Sequence, residues 1–383
     1  MDLTWWQILL GAVVGLFILT FLVVVHEFGH AIVAKRNGVE VEEFGIGFPP
    51  IAAKLGRVKN TLVTLNWLPL GGFCRMKGES DDATSKGSYG AASLAAKAKI
   101  LLAGVGMNML TACVLLTILA FWGIPEIIPN QFAISSDNHG DTGVVSIYSV
   151  VENSPADDAG LQAGDELLAI DDQSIELSTE VPKVVADHAG ETVSVKIRRD
   201  DTEQTLWVTI ANEDNGNGRL GITSEQKQGG TIKATWSAPL VGVANALQFF
   251  WLTIKGIWNI LVSLCQGLFS LLIGVPIATA ELGAVSDSVA GPVGILGYIF
   301  PQAVAGGPLM LLYISSVVSI SLAVMNLLPI PGLDGGRLYL TLWYRLRHKK
   351  LTKEREETIV SRGMMVLFVV IILVTVLDIL KIV

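Results

Sequence analysis

Charge is what this chain has least of. Of its 383 residues only 16% are Asp, Glu, Lys or Arg, against about a quarter in an ordinary soluble domain. With 51% hydrophobic residues and a mean hydropathy of +0.54, the composition points to a membrane protein. Positive charge is scarcer still: 27 Lys and Arg face 35 Asp and Glu, a net charge of −8. A nucleic-acid partner is therefore not expected, because it needs a basic surface to meet its phosphates. Cysteine is rare. Cys74, Cys113 and Cys265 are widely spaced and form no C-x-x-C pair, so they give neither a disulfide framework nor a thiolate metal site and read as packing residues. The basic start of a cleavable signal peptide is missing too. The first residues are acidic, and the first apolar run is too long and leads straight into a polar motif.

What the chain does have is long apolar blocks. A bilayer core needs roughly 20 residues of helix, and residues 5–25, 100–124, 309–328 and about 363–377 qualify. The last is short, with Arg362 and Lys381 placed to snorkel. A fifth apolar region, 240–275, carries Gln248, Lys255, Asn259 and Gln266 at intervals beside Trp251 and Trp258, as an interfacial helix does. Charge decides between the counts. Segments 35–99 and 337–362 are rich in Lys and Arg, the latter with Arg345, Arg347, Lys349 and Lys350. Segment 123–233 is acidic, with Asp157, Asp158, Asp165, Glu166, Asp171 and Asp172 close together. Basic loops stay in the cytoplasm. Four spans put both basic segments inside and the acidic one outside, whereas a fifth crossing at 240–275 would carry 337–362 outside. Four spans are expected, with both termini extracytoplasmic.

The outer segment, about 142–225, reads as a small soluble domain. Residues 143–151 are β-rich, and 192–198 alternate polar and apolar as half-buried strands do. Ser154-Pro155-Ala156-Asp157-Asp158-Ala159-Gly160-Leu161-Gln162-Ala163-Gly164-Asp165 reads as a short capped helix and a glycine turn. It resembles the S-P-A-x-x-A-G-L-x-x-G-D of PDZ domains in bacterial envelope proteases. That resemblance matches Gly218, Arg219, Leu220, Gly221 and Ile222 to the loop and strand that receive a peptide C-terminus. Such a domain binds by strand addition, with backbone amides holding the terminal carboxylate. A plain β-rich domain without a ligand fits the same pattern.

The first span ends in Val23-Val24-Val25-His26-Glu27-Phe28-Gly29-His30. Residues four apart share a helix face, so both imidazoles can reach one zinc ion at about 2.0–2.1 Å. Glu27 beside them can take a proton from a water that the zinc has acidified. H-E-x-x-H alone recurs by chance, but here it continues an apolar span. Ionisable groups at that depth cost roughly 2.5–3.5 kcal/mol for Asp, Lys or Arg and are usually functional. A catalytic zinc needs a third protein ligand and an open position. His139 and His188 lie in or near the outer domain and His348 in a basic loop. Among carboxylates Asp334 stands out, in Met325-Asn326-Leu327-Leu328-Pro329-Ile330-Pro331-Gly332-Leu333-Asp334-Gly335-Gly336-Arg337. Two prolines there break the helix near the face on which the first span ends, and the glycines let the chain turn close to a neighbour. Irregular backbone at that depth must be buried in protein or line a cavity. A helix cap is the plain role for Asp334. Asp378, placed by topology on the outer side, is the weaker alternative.

His26-Glu27-Phe28-Gly29-His30 and the run from Asn326 to Gly335 together resemble the H-E-x-x-H and N-x-x-P-x-P-x-L-D-G motifs of the site-2 protease family (M50). The nearest branch is the bacterial regulator-of-sigma-E type, here with a single PDZ domain. Gly45-Ile46-Gly47-Phe48-Pro49, Pro69-Leu70-Gly71-Gly72-Phe73 with Met76-Lys77-Gly78-Glu79, and Gly291-Pro292-Val293-Gly294-Ile295 add to the likeness, which covers nearly the whole chain. It implies His26, His30 and Asp334 as Zn2+ ligands and Glu27 as catalytic base. It implies Asn326 in substrate handling, with an interhelical hydrogen bond as its structural role. It also implies a membrane-associated β-hairpin over 40–77, with 61–66 and 73–76 as strands. A substrate helix hides its carbonyls in its own hydrogen bonds, and an edge strand offers replacement partners once it unwinds. Two departures stand out. Only one PDZ domain fits where some relatives have two in tandem, and Ala103-Gly104-Val105-Gly106-Met107-Asn108 lacks the proline of the family's A-G-P-x-x-N.

The expected architecture is thus a polytopic α-helical membrane protein with four transmembrane helices, a membrane-associated β-hairpin region and one extracytoplasmic α/β PDZ domain. Its segments are a first span with H-E-x-x-H (1–37), the β region (38–99), a second span (100–124), the outer region (125–235) and interfacial helices (236–307). A third span (308–336), a basic cytoplasmic segment (337–362) and a fourth span (363–383) follow. The resemblance implies an intramembrane zinc endopeptidase of the bacterial cytoplasmic membrane. Its expected partners are membrane lipid and single-span substrates, an anti-sigma factor or a remnant signal peptide, already trimmed outside by a site-1-type protease. A zinc-containing scaffold that only recruits peptides is the rival, and intact Glu27 argues against it. A transporter is disfavoured by four spans and no visible internal repeat.

Overall fold

A computed structural model describes residues 3–128, 130–140, 144–175, 178, 180–200, 202–213, 218–226, 230–273, 291–349 and 351–382. Thr142, Gly143, Val275 and Lys350, at the margins of segments named above, lie outside them. The chain divides into Met1–Leu119 with Gly242–Val383, and Ala120–Val241.

In the first unit, helix α1 spans Trp5–Arg36, opened by a capping box of Thr4 and Gln7. Its 32 residues amount to about 48 Å at 1.5 Å each, and the helix carries His26 and His30 beyond the apolar run 5–25, within the first segment expected over 1–37. Strands β1 (Val41–Val58) and β2 (Thr61–Met76) follow as a hairpin. Its tip pairs Val58 with Thr61 and its base Val41 with Met76. Between them, Phe44 and Gly45 of β1 have partners on two sides, Cys74 and Phe73 on one and Val63 and Thr64 on the other. The expected strands 61–66 and 73–76 are thus two stretches of β2 flanking the same part of β1. Helix α2, Leu94–Trp122, begins six residues earlier than the apolar run suggested. Leu94-Ala95-Ala96-Lys97-Ala98-Lys99 are strong helix formers, and the Ser93 hydroxyl accepts from the Ala96 amide at 3.2 Å. The helix runs unbroken through Val105, where the family pattern has proline.

The second unit contains β3 (Ile124–Pro125), β4 (Val145–Val150), α3 (Pro155–Asp158), β5 (Glu166–Ile170), β6 (Gln173–Ser174) and α4 (Val181–Asp187). Strands β7 (Thr192–Arg199), β8 (Thr202–Thr209), β9 (Ile222–Gln226) and β10 (Thr231–Ile232) complete it. The main sheet runs β8-β7-β5-β4-β9, with β6 paired to β5. Alternate residues of β7, Val193, Val195 and Ile197, are buried with Ile147, Leu167, Ile170 and Val208, which is the period of two read from the sequence. Ser154 caps α3, its hydroxyl accepting from the Asp157 amide at 3.3 Å. Asp137 is an anchor that the sequence pattern gave no sign of. Burial alone would raise its carboxyl, but hydrogen bonds from the side chains and amides of Ser237 and Thr235 hold it well below the usual range.

The remaining helices are α5 (Ala238–Ile273), α6 (Pro292–Ala305, with a π turn at Ile295–Ile299), α7 (Pro308–Leu327), α8 (Asp334–Leu346) and α9 (Lys353–Ile382). Among the described residues five helices are long and apolar enough to cross a membrane: those of α1, α2, α7, α9 and the Ala238–Ser263 part of α5. Helix α5 runs unbroken through Gln248, Lys255, Asn259 and Gln266. Thr253 donates to the Phe249 carbonyl at 2.8 Å, and Lys255 lies over the Trp251 ring at 5.6 Å.

Much of the segment expected as a basic loop, 337–362, is helical. Asp334 and Arg345 sit at the N- and C-terminal turns of α8, and Glu354 and Glu356 at the first turn of α9, as the helix dipole favours. A buried charge network joins these helices to the chain after β2. Arg337 donates to Glu356 at 2.9 Å and lies 5.0 Å over the Tyr89 ring. Glu356 accepts from the Asp81 amide at 3.0 Å, and Asp81 pairs with fully buried Lys97. At the other end of α9, Asp378 accepts from the amides of Gly291 and Gly294 at 3.1 and 2.8 Å. It therefore caps α6, which packs on α1 at Gly11 and Gly15 through Pro301 and Phe300.

Candidate metal centre

Helix α1 presents His26 and His30 one turn apart on its buried face. After α7 ends at Leu327, the chain passes Pro329 and Pro331, and Gly332 takes φ +105°, a backbone region that disfavours any residue with a Cβ. This reversal starts α8 with Asp334 directed at α1. One carboxylate oxygen, Oδ2, stands 2.9 Å from His26 Nε2 and 3.1 Å from His30 Nε2. Asp334 is the first residue of α8, with Leu333 at the cap position, and the partners of its carboxylate are the two imidazoles rather than the helix's own amides.

The ligand atoms of these three residues lie within 4.8 Å of one another, the one such group of His, Cys, Asp or Glu among the described residues. Ligands 2.0–2.1 Å from a tetrahedral zinc stand about 3.3 Å apart, and the separations from Asp334 are within a few tenths of that. Two further features suit a metal. The His30 Nδ1 faces the Ile100 carbonyl at 2.7 Å; a carbonyl only accepts, so Nδ1 carries the proton and Nε2 is free to ligate. Gly104 of α2 lies against both rings, and a Cβ there would sit 2.5 Å from His26 Nε2 and 2.6 Å from His30 Nε2. Only glycine leaves the two nitrogens room.

Glu27 stands beside this trio. Its carboxylate is close enough to interact with His30, His26 and Asp334, and the backbone of Cys74 on β2 is its hydrogen-bond partner. Here β2 runs along α1, with Gly71 and Gly72 against Val23 and Val24. The Cys74 thiol is pushed up to about 12 by burial and by the negative charge of Glu27 and Glu79, so it stays neutral and offers neither ligand nor nucleophile. The histidine side chains are almost sealed, at 8% and 6% exposure, whereas Asp334 keeps 22%. It opens onto a cavity of about 510 Å³ that Glu79, Gly332, Arg337, Lys353 and Glu356 also line.

The sequence pattern of peptidase family M50 matches residues 14–371. The chain belongs to that family. A Clostridium perfringens relative of this M50 chain is 34% identical over 94% of it and 95% of the relative, whose name assigns it provisionally to the zinc metalloproteases. The zinc metalloprotease RasP of Bacillus licheniformis is 25% identical, over 94% of this chain and 96% of its own. RasP of Shouchella clausii is 26% identical, over 95% and 97%. Among solved structures, the PDZ domain of an SdrC-like protein from Listeria monocytogenes is 28% identical over 22% of this chain and 87% of that one, with a TM-score of 0.19.

Other residues singled out in the M50 chain lie elsewhere. Asn326 donates to the Leu322 carbonyl of its own helix at 3.0 Å, so the interhelical bond suggested for it is not made. Asp378 is engaged by Gly291 and Gly294 and takes no part in the metal group. His139 faces Asp137 at 3.4 Å, and His188 faces the Val184 carbonyl at 2.9 Å and Asp171 at 3.4 Å. In the second unit, Gly218, Arg219, Leu220, Gly221 and Ile222 line a groove of about 160 Å³ against Val181 and Val185 of α4. The carbonyls of Arg219, Leu220 and Gly221 accept from Ala211, Ala156 and Val151, which anchors the loop. Sequence reasoning missed Gly104 and, on the same helix, Asn108, whose side-chain amide lies 3.3 Å from His26 Nδ1. Their signal was the A-G-x-x-x-N pattern itself, read only for its missing proline.

Proposed function

We propose that this M50 metalloprotease is an intramembrane zinc endopeptidase that cuts the membrane-spanning segments of single-span proteins. The observation that carries the reading is the joining of His26 and His30, inside an apolar helix able to cross a bilayer, with Asp334 from the broken end of another. A histidine pair with one carboxylate is a donor set that suits zinc, and the adjacent Glu27 has no use in a purely structural site. Zinc, when bound, supplies Lewis-acid activation of water and of a carbonyl. His26, His30 and Asp334 hold it. Glu27 takes a proton from the attacking water and returns it to the leaving amide nitrogen.

The substrate must be extended for its carbonyls to be reached. In β2, residues 72–76 pair with β1 along one edge, while the Cys74 backbone faces Glu27. That stretch is placed to take an unwound substrate segment as an added strand. In the outer unit, which we read as a PDZ domain, the groove between α4 and β9 suits a chain terminus, and Gly218–Ile222 supply the receiving loop and strand. Asn326 remains a candidate for substrate handling on the cytoplasmic end of α7.

The topology that fits the charges keeps four crossings, with α5 at the interface and both termini and the PDZ domain outside. The exposed Arg345, Arg347, His348 and Lys349 at and just after the C-terminal end of α8 then meet the cytoplasmic leaflet. The membrane is the bacterial cytoplasmic membrane. The substrate class is an anti-sigma factor or a remnant signal peptide, delivered after a site-1-type protease has removed its outer part. The test is a purified proteoliposome assay with one single-span protein in two forms, outer domain intact and outer domain removed. The trimmed form is expected to be cut and the intact form largely spared. Equal rates contradict the dependence on trimming, and cleavage of neither contradicts the protease reading.

A further inference from the structure

Asn108 lies on α2 and is fully buried. Its main-chain carbonyl accepts from the Ser319 hydroxyl of α7 at 2.9 Å, and its side-chain amide stands 3.3 Å from His26 Nδ1. The Oδ1 atom of that amide has no hydrogen-bond partner. A buried amide oxygen without a partner is costly, and it points to an arrangement in which it is used.

The chemistry of the histidine pair specifies that arrangement. Both Nε2 atoms converge on Asp334 Oδ2, so Nε2 is the ligating nitrogen of each ring and Nδ1 must carry the proton. His30 achieves this through the Ile100 carbonyl. His26 needs an acceptor at its Nδ1, and the amide of Asn108 is the neighbour there. An amide's two ends are nearly equal in size, and a half-turn exchanges them. With Oδ1 toward His26, one rotation satisfies the orphaned oxygen and the Nδ1 proton together.

We propose that Asn108 is a positioning residue for the metal centre: its side-chain oxygen accepts from His26 Nδ1–H and holds the tautomer whose Nε2 binds zinc. This rests on the zinc reading of the site but concerns a residue outside the ligand set. The two histidines then have matched supports from α2, a main-chain carbonyl for His30 and a side-chain oxygen for His26. The assignment explains the A-G-x-x-x-N spacing, since Gly104 and Asn108 are one helical turn apart and both face the His26 ring.

The test is equilibrium zinc affinity of the full-length protein in detergent, by competition with a chromophoric chelator, with no activity assay involved. Asn108→Leu, close in size but without an acceptor, is expected to bind zinc about 10–100-fold more weakly, the usual effect of losing such a partner. Asn108→Asp, which accepts but cannot donate, is expected to bind as tightly as wild type or tighter. Its cobalt-substituted absorption bands should match those of wild type, whereas those of Asn108→Leu should shift. A folded Asn108→Leu protein with wild-type affinity and cobalt bands overturns the proposal. So does tenfold weaker binding by Asn108→Asp, because the amide would then act as a donor. If Asn108→Leu does not fold, the aspartate variant alone decides. The wild-type measurement in the same assay separates the two readings: a wild-type protein that binds no zinc sinks the zinc reading of the site, whereas zinc bound equally by wild type and Asn108→Leu sinks only the role of Asn108.

Discussion

Glu27→Gln is expected to retain zinc at the wild-type level and to lose cleavage by at least 10²–10⁴-fold, the usual contribution of a general base. Glutamine has nearly the shape of glutamate, so the packing beside His26, His30 and Asp334 persists. It has no lone pair basic enough to take the water's proton. Glu27 is not one of the three converging ligand groups, which is why its loss should separate chemistry from metal binding. Two measurements on the same sample check this: zinc content by elemental analysis and the rate of product formation from a single-span substrate. Wild-type cleavage by the variant would remove Glu27 from the mechanism. Loss of zinc along with activity would make it a ligand or a support for one.

Asp334→Ala is expected to give a protein that does not retain stoichiometric zinc and does not cleave. The substitution leaves two histidine donors where a catalytic zinc needs three protein ligands. Its effect on affinity should therefore exceed the 10–100-fold typical of losing an outer partner. Asp378→Ala is the informative control, because it too removes a hydrogen-bonded carboxylate from a helix of the same unit. Asp378 spends its oxygens on the Gly291 and Gly294 amides, so its removal should lower thermal stability and leave zinc content unchanged. The reverse pattern, zinc lost with Asp378 and kept without Asp334, would move the third ligand to the other end of α9.

The parts of this site that were legible in the sequence are those governed by local rules. The i, i+4 spacing placed two imidazoles on one helix face, and the double proline forced the reversal that starts α8 at Asp334. The alternation in 192–198 gave the buried face of β7. What was not legible depends on neighbours distant in the chain. Helix α5 was read from composition as a segment of mixed character, and only its neighbours, such as Phe249 meeting Tyr313 at 6.1 Å, show how its buried side is used. The start of α9 at Lys353 was hidden because hydropathy ignores acidic residues that favour a helix N-terminus. Asp137, Lys97 and Arg337 form buried polar contacts across more than 15 residues of sequence, and no periodicity announces such pairs.

The account stands or falls on where the peptide bond is cut. A single-span substrate should be incubated with the zinc-loaded enzyme in proteoliposomes and the new termini identified by mass spectrometry. The account predicts one principal cut inside the apolar stretch of the substrate, and no such product from Glu27→Gln. Termini that fall only in the soluble flanks of the substrate, or the same intramembrane product from Glu27→Gln, would contradict it.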